Sequence, residues 1–188
     1  IWFKMEKIKF NQMKDGTKEE YLFLDKHEQK YIDGTADRLL KFMAGLKNTL
    51  EGYQITRLEH SLQTATRALN DKASEEMIVA CLLHDIGDEL APLNHAECAA
   101  AILKPYVSEK THWIIEKHGI FQMYYYAHHL GGNKNERDKF KGHKYYYDTI
   151  SFCENWDQKS FDPNFKSLPL KEFEPLVKKI FSRKPYSN

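Results

Sequence analysis

"LLHDIGDELAPLNH", residues 82–95, closes an apolar run on His84 and Asp85 and brings in His95 soon after. A buried helix rarely finishes on two ionisable groups without a partner, because a charge held away from water is costly. Either solvent begins at residue 84, or something at that point binds both side chains. The helix behind them starts at Ser74, a natural N-cap, with Glu75 and Glu76 in its positive first turn. Its interior, Met77 to Leu83, is apolar on every side and belongs at the centre of a bundle. Gly87 and Pro92 end it.

Working outward, Leu39, Leu40, Met43, Leu46 and Leu50 recur at helical spacing from Thr35, and Gly52 stops that helix. A second carries Ile55, Leu58, Leu62, Ala65 and Leu69 on one face. Further helices are predicted over 94–103, 108–118, about 120–129, 145–158 and 170–182, and no stretch reads as a strand pair. The stretch "LGGNKNERDKFKGHK", residues 130–144, reads as a mobile polar linker. Residues 1–34 read as an irregular arm with a turn at Asp15-Gly16 and a short helical stretch from 18 to 30. That arm either packs on the bundle or serves as a lid. Met5 reads as the natural first residue. The expected architecture is all-α: one bundle of about seven helices over 35–188, preceded by the arm.

The bulk numbers exclude several function classes. With 188 residues and 41% hydrophobic content the chain suits one domain with a sizeable core. Its 28 basic and 27 acidic side chains nearly cancel, which leaves no global field for nucleic acid or an anionic membrane. No apolar run is long enough to span a bilayer, and no signal peptide is visible. Cys81, Cys98 and Cys153 form no CxxC pair, and Cys81 sits within the apolar "MIVACLL". No disulfide framework is implied, so a reducing, cytoplasmic setting and a small-molecule substrate are expected.

Several ionisable residues fall where an apolar helix turns polar: His60, His84, Asp85, His95, His118 and Asp157. Singly, each is more often a satisfied core or helix-end residue than a ligand. Together they point to metal. Imidazole nitrogen and carboxylate oxygen suit iron, manganese or zinc, and the lack of thiolates argues against a structural zinc site. Four histidines and two aspartates are too many for one ion with room for substrate. They fit two ions with a bridging carboxylate, and Asp85 is the best bridge.

The order His60, then His84-Asp85, then His95 and His118, then a distant Asp157 resembles the HD superfamily of all-helical metal enzymes. The two extra histidines resemble its mixed-valent diiron oxygenase branch, which includes myo-inositol oxygenases and 2-amino-1-hydroxyethylphosphonate dioxygenases. The stretch "RLEHSLQTATRA" resembles the latter. The resemblance implies one iron on His60, His84 and Asp157, a second on His95 and His118, and Asp85 between them. It also implies Fe2+/Fe3+ as the working state, with O2 as co-substrate.

The sequence departs from these relatives at three places. Asp88 stands where many HD phosphohydrolases and myo-inositol oxygenase carry a lysine, and Gln122 stands where the phosphonate dioxygenase has one. Leu50 and Tyr53 occupy the offsets of that enzyme's gating tyrosine and glutamate. Substrate contacts are expected from Tyr53, Asp88, Gln122, His128 and His129. In one reading Asp88 attracts a cationic substrate; in the other it pairs with a nearby arginine or lysine. Tyr124–Tyr126 fill core or form a pocket wall. The leading expectation is an oxygenase acting on a hydroxylated organophosphonate or amino alcohol. The alternatives are a metal-dependent phosphohydrolase and a binding module without chemistry.

Overall fold

The computed structural model describes residues 6–186. Met5, read as the natural start, lies outside them. Eight α-helices and no strands are found among the described residues. They are α1 (Lys18–Asp33), α2 (Thr35–Gly45), α3 (Arg57–Asn70), α4 (Glu75–Leu83), α5 (His95–Leu103), α6 (Glu109–Gln122), α7 (Tyr146–Phe152) and α8 (Leu170–Phe181). The all-α bundle expected from the sequence is the observed architecture.

Local chemistry sets most of the helix starts. Thr56 caps α3 and Glu59 returns the bond to the Thr56 amide, a reciprocal box that fixes the helix three residues before His60. Ser74 accepts from the Met77 amide at the head of α4, and Ser108 from Thr111 at the head of α6. All seven residues Met77–Leu83 are buried. Helix α4 packs on α3, α6 and α8, while α5 pairs with α6 and α2 with α8. Phe121, Phe152, Phe173, Leu82 and Ile115 fill the space between them. No helix among the described residues is long and apolar enough to cross a membrane.

Four expectations need correction. The arm is not irregular throughout: α1 runs four turns, with its own Thr17–Glu20 capping box. The predicted helix over 120–129 does not form. Helix α6 instead extends to Gln122, and two short 3-10 turns follow at Met123–Tyr125 and Ala127–Leu130. The predicted helix over 145–158 changes winding after Phe152 into a π turn, Cys153–Asp157, closed by the Gln158 amide on Cys153 O. The polar segment 130–144 is anchored: His143 stacks on Trp113 at 3.9 Å, Phe140 packs on Phe121, and Tyr146 donates to Asp138.

Candidate metal centre

Five elements converge on one buried point. His60 comes from the first turn of α3, His84 and Asp85 from just past the end of α4, and His95 from the first residue of α5. His118 lies one turn before the end of α6, and Asp157 ends the π turn. The extra residue of a π turn shifts the following side chains around the axis, and here Asp157 arrives 3.2 Å from His60 Nε2. Gly87 lets the loop pass against α5: a Cβ there would lie 2.6 Å from His95 O.

The two oxygens of Asp85 face different donors. Oδ2 lies 3.2 Å from His60 Nε2 and 3.3 Å from His84 Nε2, and Asp157 Oδ1 lies 3.2 Å from the same His60 Nε2. Oδ1 lies 3.2 Å from His118 Nε2 and 3.4 Å from His95 Nε2. His60, His84, Asp85, His118 and Asp157 are buried, and His95 is half-buried.

These donors suit a cation. His60 donates Nδ1–H to Ser160 O at 2.8 Å, His84 to Cys81 O at 2.7 Å and His118 to Ile115 O at 2.6 Å. A carbonyl can only accept, so each Nε2 turns a bare lone pair inward. His60 Nε2 and His84 Nε2 then stand 3.0 Å apart with carboxylate oxygens on both. Lone pairs crowded this closely repel unless positive charge lies among them. Spacings of 3.0–3.5 Å between donors are those of neighbouring ligands on a metal with bonds of about 2.0–2.2 Å. Backbone carbonyls that fix the histidine tautomer are a recurrent feature of metal sites. The buried His/Asp clusters can therefore hold a metal ion.

The electrostatics agree. Burial alone would lower the His60 and His84 pKa values, but Asp85 and Asp157 outweigh it and raise both, His84 strongly. Burial alone would raise the carboxylates, yet His84 and His60 hold Asp157 well below its ordinary range. His84, His118 and His60 do the same for Asp85.

A cavity of about 520 Å³ opens beside the second donor set. Leu50, Tyr53, Gln122, Tyr125, Tyr126 and Phe161 form much of its wall. Burial pushes the Tyr125 hydroxyl up to about 12. None of the described arm residues lines this cavity.

The sequence expectations for substrate contacts divide. Tyr53 and Gln122 line the cavity, and Gln122 Oε1 is buried without a hydrogen-bond partner. His128 and His129 do not line it; they are exposed, with their rings tilted against each other at 4.0 Å. The break after Gln122 turns Ala127 inward in their place. Asp88 lines the cavity but is already paired. Arg57 Nε and Nη2 meet its Oδ2 at 2.9 and 2.7 Å, which removes the basis for a cation-binding Asp88. Arg57 and Phe161 are the residues sequence reasoning missed. Arg57 also contacts Asp85 Oδ2, and Phe161 stacks on His60 at 4.4 Å. The available signal was the spacing of three between Arg57 and His60, which puts both on one helix face.

A scan of protein-family models and a search of curated proteins returned no match.

Proposed function

We propose that the chain is a non-haem diiron oxygenase of the HD type, using O2 to oxidise a small hydroxylated substrate in the cavity beside Asp85. The observation that carries this reading is the division of the Asp85 oxygens, Oδ2 towards His60 and His84 and Oδ1 towards His95 and His118. When bound, two irons would supply one-electron chemistry towards O2 and Lewis acidity towards a substrate oxygen.

The remaining work falls to side chains. Asp85, Asp88 and Asp157 outnumber Arg57, so the site favours multiply charged cations. Arg57 is the one lysine or arginine among the cavity-lining residues, and two carboxylates engage it. An anionic group on the substrate therefore depends on the metal ions for its counter-charge. A cationic group finds no free carboxylate, which favours a hydroxylated organophosphonate over an amino alcohol. Gln122 Oε1, one turn beyond His118, offers an acceptor to a substrate O–H or N–H. Tyr53 stacks on Phe161 at 5.2 Å and forms part of one cavity wall.

The test is protein loaded with iron without air and then given O2 and a panel of 1-hydroxyalkylphosphonates. We expect about two irons per chain from the donor count, O2 consumption with at least one member, and loss of both irons in Asp85→Ala. Phosphate release from esters or nucleotides without O2 would replace this reading with the hydrolase. A single tightly held zinc that excludes iron would remove the diiron centre.

A further inference from the structure

Three of the four converging histidines direct Nδ1 at a backbone carbonyl, and His95 is the exception. Its Nδ1 faces Asp88 Oδ1 at 3.5 Å, while its Nε2 faces Asp85 Oδ1 at 3.4 Å. The other oxygen of Asp88 is held by Arg57 Nε and Nη2 at 2.9 and 2.7 Å, and the same Nη2 contacts Asp85 Oδ2. The four side chains close a ring: Asp85, His95, Asp88, Arg57 and back to Asp85. Three of them are largely shielded, with side-chain exposures of 8% for Arg57, 7% for Asp85 and 15% for Asp88. His95 is the most open at 28%, and it stands on the first residue of α5, where the helix itself constrains it least.

We propose that Asp88, held by Arg57, is a positioning residue that fixes His95 and makes the second donor set the more electron-rich of the two. The inference rests on the two-ion reading given above. An imidazole whose Nδ1–H faces a carboxylate carries more negative charge on Nε2 than one facing an amide carbonyl, and so binds a cation more strongly. Arg57 acts in the opposite sense on Asp85 Oδ2, the oxygen turned to His60 and His84, by drawing charge away from it. Both effects favour the higher charge state on the His95–His118 side. Asp85, Asp88 and His95 stand close enough together to hold an ion, but Asp88 is not itself assigned as a ligand. Its Oδ1 stands on the Nδ1 side of the ring, while His95 Nε2 and His118 Nε2 both face Asp85 Oδ1.

The test compares wild type, Asp88→Asn and Asp88→Glu, each titrated with Fe2+ alone under anaerobic calorimetry and then followed by paramagnetic resonance during stepwise reduction. Asparagine keeps an oxygen beside Nδ1 but removes its charge. We expect wild type to bind two equivalents. In Asp88→Asn the first should be unchanged and the second about 10- to 100-fold weaker, with partial recovery in Asp88→Glu. The Asn variant should also pass from mixed-valent to fully reduced at a potential where wild type stays mixed-valent. Two equivalents with unchanged affinity and potential in Asp88→Asn would overturn the proposal and leave the two-ion reading standing. Complete loss of the second equivalent, unrecovered by glutamate, would overturn it by making Asp88 a ligand. A wild-type protein that binds one equivalent would overturn both.

Discussion

His60 and His84 hold their Nε2 atoms 3.0 Å apart, each beside one carboxylate oxygen of Asp85 and one of Asp157, an arrangement that calls for positive charge. Without metal that charge is a proton, which is why both histidine pKa values are raised above 6.5. A raised folded value stabilises the protein fully below the unfolded value and loses that contribution as pH climbs through the folded one. Asp85 and Asp157 are lowered, so their contribution is present above 3.8 and disappears only in stronger acid. Metal-free protein should therefore melt at a lower temperature at about pH 9 than at about pH 6. Metal-loaded protein, whose positive charge does not titrate away, should show no such fall. Calorimetric melts with and without chelator check this, and parallel pH profiles for the two forms would contradict it. The six donors were legible because their residue types have few other uses at the ends of apolar helices. Arg57 was not, since a charge in the first turn of a helix reads as ordinary surface.

Among the elements, the turn from His84 to the head of α5 is the most tightly fitted. A methyl group at Gly87 would meet His95 O at 2.6 Å and the Cys98 side chain at 2.9 Å, and the backbone atom has no room to move alone. Gly87→Ala should cost about 1–3 kcal/mol of stability and displace His95, weakening the second metal equivalent while sparing the first. Denaturant melts paired with metal analysis test this; an unchanged second equivalent would mean that the loop and α5 shift together. Helices with clear caps and apolar stripes could be read from the sequence, α4 above all. The winding changes could not, because the 3-10 turns after Gln122 and the π turn before Gln158 depend on contacts with distant residues. The Trp156 indole N–H donating to Asp71 is one such contact. Apolar periodicity also underestimated α3, whose polar side is buried too: Gln63 and Thr66 bond the chain at Asp162 and Leu168.

At the scale of the whole molecule, no helix carries a complete donor set, so the centre exists only when the bundle is closed. Elements α3 to α6 supply five of the six donors, and the π turn after α7 supplies the last. The surrounding chain is nearly neutral, with net charge +1, so the negative surplus at the centre is local.

The π turn therefore also sets an order of assembly. Asp85 meets His118 across 33 residues, whereas His60 meets the segment that carries Asp157 across 100. Closing the longer span costs about 1 kcal/mol more in chain entropy, and it waits for the last third of the chain to dock. On the two-ion reading, a refolding chain should thus capture its second ion before its first. Refolding in the presence of cobalt should then gain visible absorbance in two phases, the slower one missing in Asp157→Ala. A single phase would mean that both sites close in one event.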